Sequence, residues 1–184
     1  MKATQQLKDE HEGIKLMLRI MESISANLQK GEVLNAIQYG KIIEFIKGFA
    51  DKCHHGKEED ILFPVLTEHG IPNEGGPIGV MLREHQEGRN HIKELSAAFE
   101  EFKNGNKQAI SNIVRCSMNY VHLLRTHIEK ENNILFMMAD KVLDEAEQSE
   151  IAEAFEKLEA ERIGIGKHEE YHKLLKELEK IYLE

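Results

Sequence analysis

His54–Phe63 reads HHGKEEDILF, and His127–Phe136 reads HIEKENNILF. Each stretch carries His and Glu four residues apart, a Lys directly before the Glu, and Ile-Leu-Phe after it. Residues four apart share one face of a helix, so each stretch presents an imidazole and a carboxylate side by side. Working outward, each is preceded by a second matched phrase, Glu10-His11 in DEHEG and Glu84-His85 in REHQEG. His11 lies 43 residues before His54, and His85 lies 42 before His127. The chain therefore contains an H…HxxxE unit twice, with four histidines and two glutamates at corresponding places of two similar halves. Imidazole and carboxylate together suit iron, and the duplication points to a two-metal site.

Apolar periodicity predicts helices on either side of these phrases. Leu7, Ile14, Leu18, Met21, Ile24 and Leu28 mark a first helix over 4–29, closed by Lys30-Gly31. A second runs from about Val33 to Leu66, before the loop TEHGIPNEGGPIG. A third covers about Val80 to Phe102, with a turn at Asn104-Gly105-Asn106, and a fourth covers about 107–142. Two shorter stretches, Gln148–Arg162 and Lys167–Leu183, are separated by Gly164-Ile165-Gly166. The expected fold is all-α: an up-down-up-down four-helix bundle over 1–143, with additional C-terminal helices over 144–184 packing on it.

Hairpin geometry tests whether the ligands can meet. His11 is 20 residues before Gly31 and His54 is 23 after it; His85 is 20 before Gly105 and His127 is 22 after it. At about 1.5 Å of rise per residue, the members of each pair lie at nearly the same depth. Six side chains, His11, His54, Glu58, His85, His127 and Glu131, thus converge on one layer. A single HxxxE is more often a surface ion pair. Two carboxylates and four imidazoles inside a bundle, however, would be costly without a cation.

Composition narrows the function. A formal charge of -9 disfavours nucleic-acid binding, because phosphates would be repelled. No apolar run approaches a membrane span and the start is polar, so a soluble, cytoplasmic protein is expected. Two cysteines, Cys53 and Cys116, fit a reducing compartment. Oligomeric state is not legible.

The pattern H…HxxxE…H…HxxxE over about residues 4–140, with CHHGKEEDILFP and GGPIGVMLREH, resembles the hemerythrin-like cation-binding (HHE) family. The resemblance implies two iron ions, a non-haem di-iron centre inside a four-helix bundle. It makes His11, His54, His85 and His127 terminal ligands and Glu58 and Glu131 bridges. Oxygen carriers of the family have a fifth histidine, four residues past the position of His85; here that residue is Arg89, which has no lone pair to offer. The resemblance therefore implies an ion with fewer protein ligands, and chemistry or sensing with O2, NO or peroxide rather than simple oxygen carriage. Iron storage or donation, including repair of iron-sulfur centres, and a structural bundle held by zinc are the alternatives.

Other polar residues are set aside. His55 and Glu59 repeat the spacing one residue along, but their counterparts are Ile128 and Asn132, so symmetry favours His54 and Glu58. His91 and His122 belong to other faces, His69 to a loop, and His168 and His172 to the tail. Tyr120 is expected in the core, two turns before His127, and Cys53 as an inert small residue. Phe49, Leu18, Ile14, Leu123 and Ile92 are the expected pocket wall.

Overall fold

The computed structural model describes residues 2–184, and among these there are six helices and no strand. Helix α1 spans Ala3–Gln29. Helix α2 begins as Ala36–Phe45, passes through π-helical turns at Ile46–His55 and Glu58–Leu62, and ends as Phe63–Glu68. Helix α3 is Pro77–Lys103. Helix α4 is Ala109–Lys130, continued by a π turn at Glu131–Leu135 and by Phe136–Val142. Helices α5 (Glu145–Arg162) and α6 (Lys167–Tyr182) form the tail.

Local chemistry sets the ends. Gly31, at φ 90°, lets the chain turn off α1 while the N–H groups of Gly31 and Glu32 reach back to the carbonyls of Leu28 and Asn27. The Asn35 side chain accepts the Gln38 N–H at 3.1 Å and opens α2. Helix α3 starts at Pro77 rather than near Val80, because proline's missing N–H costs nothing in a first turn. Helix α5 starts at Glu145, three residues before the expected Gln148, on a reciprocal cap between Asp144 and Glu147.

The helices bury two apolar clusters. One contains Leu7, Leu62, Met81 and Leu135, towards the α2–α3 loop. The other contains Ile14, Ala50, Ile92 and Leu124, towards the Gly31 and Gly105 turns. On each of α1–α4 the histidines and glutamates lie in sequence between a residue of one cluster and a residue of the other. The polar residues thus form a slab between two oily blocks. The tail is part of this core: α5 inserts Ile151 and Phe155 into the first cluster, and α6 adds Leu175 and Leu178 to the second. Tyr171 of α6 meets Phe45 and Phe49 at ring separations of 5.4 and 5.8 Å.

Candidate metal centre

All six side chains singled out by the duplicated motif are at most 1% exposed, as befits a slab between apolar clusters. Their potential ligand atoms form two groups, each within a span of 4.8 Å. One is His11, His54, Glu58 and Glu131; the other is His55, Glu58, His85 and His127. Glu58 belongs to both. Its Oε1 lies 3.6 Å from His54 Nε2 and its Oε2 lies 3.4 Å from His85 Nε2. Glu131 behaves alike, although it falls within the common span of the first group alone. Its Oε2 is 3.1 Å from His11 Nε2, while its Oε1 is 3.1 Å from His127 Nε2. Each carboxylate therefore turns one oxygen towards each group.

Two observations show that this arrangement fits cations. The four oxygens of Glu58 and Glu131 are sealed from solvent and make no hydrogen bond of acceptable geometry, a costly state for a carboxylate. The histidine nitrogens face each other in pairs: His11 and His54 Nε2 at 3.0 Å, and His85 and His127 Nε2 at 3.0 Å. On the far side of three of these rings Nδ1 meets a carboxylate, Glu10 for His54, Glu59 for His85 and Glu84 for His127, at 2.7–2.9 Å. A carboxylate only accepts, so Nδ1 donates, and in the neutral ring the Nε2 lone pair points into the slab. Lone pairs converging with bare carboxylate oxygens constitute a ligand set.

The outer partners explain the remaining repeated letters. Glu10 and Glu84, each just before its His, orient the His of the HxxxE on the neighbouring helix. Lys57 and Lys130, each just before the Glu of its HxxxE, pair with Glu10 and Glu84. The residue after each Glu serves the opposite half: Asn132 Oδ1 meets His11 Nδ1 at 2.8 Å, and Glu59 Oε1 meets His85 Nδ1 at 2.7 Å. Burial alone would raise the Glu10 carboxyl, but the His54 hydrogen bond and the Lys57 ammonium hold it below its ordinary value. Burial likewise opposes a charge on His85, yet Glu131, Glu58 and Glu59 raise it to about 11. The slab calls for positive charge.

His55, set aside on grounds of symmetry, requires correction. It is 3% exposed, its ring stacks on that of His85 at 3.9 Å and 16°, and it belongs to the second group. The reason is the π turn Ile46–His55, whose wider winding carries both His54 and His55 to the interior. Burial first, and then the neighbouring imidazoles, keep His55 well below its ordinary pKa and therefore neutral, as a ligand must be. The second group thus has three histidines, where the sequence pattern leads to the expectation of fewer. Arg89 does not face the slab. Its guanidinium donates to Asp51 and Glu59, both at 2.8 Å, and so steadies the partner of His85. The adjacent His-His doublet was the available signal.

The other residues are placed as follows. His122 and His69 are exposed, and His91 is half-buried beside Glu87. His168 binds Glu159 at 3.0 Å in the tail. Cys53 and Cys116 are buried free thiols. A cavity of about 300 Å³ opens beside His55 between α2 and α3, lined by Ile46, Gly88, Ile92 and Tyr120 among others. Of the expected wall, Ile92 lines it; Phe49, Leu18, Ile14 and Leu123 pack in the second apolar cluster instead. No described helix is long and apolar enough to cross a membrane.

Comparison with known proteins agrees with this geometry. The chain is 25% identical over 162 residues to uncharacterized proteins of Mycobacterium bovis and Mycobacterium tuberculosis, a match covering 88% of this chain and 63% of theirs. The chain thus spans less than two thirds of the length of these curated relatives. No solved structure matches. The hemerythrin HHE cation-binding domain matches residues 2–139, which include every residue of the two groups, and the chain belongs to that family.

Proposed function

We propose that the protein is a non-haem di-iron protein that binds, senses or reacts with O2, NO or a peroxide. The observation that carries this reading is the sharing of Glu58 between the two groups, with Glu131 turned to both in the same way. Two carboxylates with one oxygen towards each group suit a pair of ions held close together. Iron bound there would supply affinity for small oxidants and the electrons to reduce them.

The protein's own part is positioning and exclusion. His11 and His54 would hold one ion and His55, His85 and His127 the other, with Glu58 and Glu131 offering an oxygen to each. Glu10, Glu59 and Glu84 fix the ring orientation from behind, and such partners commonly contribute ten- to hundredfold in metal affinity, to order of magnitude. The apolar clusters above and below the slab keep bulk water from it.

Anaerobic reconstitution with Fe(II), metal counting, and spectra on adding O2, NO or H2O2 separately test the reading. About two irons per chain are expected, with near-UV and visible absorption after oxidation. A protein that never retains more than one metal, or that retains only colourless zinc when both metals are offered, would overturn it.

A further inference from the structure

The cavity beside His55 has room for ligands larger than those considered so far. O2, NO and H2O2 are each about the size of a water molecule, whose share of liquid volume is about 30 Å³, against about 300 Å³ here. Its chemistry is also graded. At the inner end lie the His55 imidazole and the Tyr120 side chain. Tyr120 is 2% exposed, and no hydrogen bond engages its hydroxyl among the described residues. The middle is apolar, with Ile46, Ile92 and the bare Gly88. At the mouth stand two exposed lysines, Lys47 and Lys93. The one carboxylate in the wall, Asp51, accepts from Arg89, a third cation of the lining. In a chain of formal charge -9, two free ammonium groups at one opening form a local positive field.

The Tyr120 hydroxyl, with no protein partner among the described residues and a place in the cavity wall, is free to donate to a ligand oxygen. Lysines beside a largely apolar cavity attract an anion and confer on-rate and selectivity. We propose that this cavity binds a small organic anion, an aliphatic carboxylate carrying a hydroxyl or hydroperoxyl oxygen at its far end. The carboxylate rests at Lys47 and Lys93, the chain crosses the Ile46–Ile92 walls, and the terminal oxygen accepts from Tyr120 next to the His55 group. The proposal rests on the di-iron reading, which it deepens by naming a class of peroxide or alcohol that the centre would meet.

The test is calorimetric titration of the oxidised, iron-loaded protein with 4-hydroxybutanoate, 6-hydroxyhexanoate and 8-hydroxyoctanoate, using hexanoate and hexane-1,6-diol as controls. One hydroxy acid should bind best, and the neutral diol about tenfold more weakly or worse at low salt. Tyr120→Phe, which deletes a hydroxyl without orphaning a partner, should weaken the hydroxy acid about three- to tenfold and leave hexanoate unchanged. Lys47→Gln with Lys93→Gln, both on the surface, should remove the preference for acid over diol. Metal content is measured in every sample. Two irons with no binding of any acid, or acid and diol bound equally, would overturn the proposal and leave the metal reading intact. Failure to retain two irons in the unsubstituted protein would instead overturn the metal reading.

Discussion

His55 and Ile128 occupy the same place in the two halves, yet one reaches the slab as an imidazole and the other packs in the apolar cluster. That single difference makes the two groups unequal, with two histidines in one and three in the other. His55→Ala should therefore lower retained iron from about two towards about one per chain, because an ion left with fewer ligands exchanges with solvent. His122→Ala, on the surface, serves as the control and should change nothing; equal losses in both variants would remove His55 from the ligand set. Glu58→Ala should cost more metal than His85→Ala, since a bridge serves both ions. The two lysines make a second pair of unequal twins. Lys57 is wholly buried and holds Glu10 at 2.5 Å and Glu159 at 2.7 Å, whereas the Lys130 side chain is 39% exposed. Removing Lys57 strands a buried carboxylate, so Lys57→Ala should cost about 3–5 kcal/mol. Lys130→Ala should cost about 0–1 kcal/mol, as for a solvated pair. Denaturant unfolding of both variants checks this, and similar midpoints would show that the burial of Lys57 contributes little.

Helices are the scale at which the sequence was most legible. The spacing of Leu7, Ile14, Leu18 and Met21 places α1, the Gly31 and Gly105 turns set the hairpins, and the equal offsets of the histidines from those turns place the slab. Apolar spacing reports the average winding of a helix, however, and an i→i+5 turn leaves no mark on it. The π turns at Ile46–His55, Glu58–Leu62 and Glu131–Leu135 were therefore invisible. They lie at the ligand-bearing segments of α2 and α4, where irregular winding commonly serves function. Symmetry misplaces His55 for this reason: α2 carries a ten-residue π stretch that runs into its HxxxE, and the matching part of α4 is ordinary α-helix. The tail was legible as helices but its depth was not. Phe155, Leu175 and Leu178 are core residues, and Lys57 bonds Glu159 of α5, a link that no local pattern announces.

For the whole molecule, the slab is the part of the core that apolar packing alone does not stabilise. Metal that binds only the folded chain adds stability by mass action. Chelation should therefore lower the thermal midpoint by about 5–10 °C or more, taking free metal at about a hundredfold excess over its dissociation constant. Far-UV circular dichroism should remain helical, because both apolar clusters persist. An unchanged midpoint would mean that the buried oxygens of Glu58 and Glu131 are satisfied by something other than a cation. The composition of the two groups has one more consequence. The duplicated motif reads as two separable hairpins, but neither hairpin completes a group alone: residues 2–68 supply His11, His54, His55 and Glu58, and residues 77–184 supply His85, His127 and Glu131. A chain cut within residues 69–76 should accordingly behave as two halves of a clasp. Mixed by gel filtration, the fragments should elute together when Fe(II) is present under anaerobic conditions and separate more readily when it is chelated. The ions would then be rivets through a seam that the sequence repeat draws as a boundary.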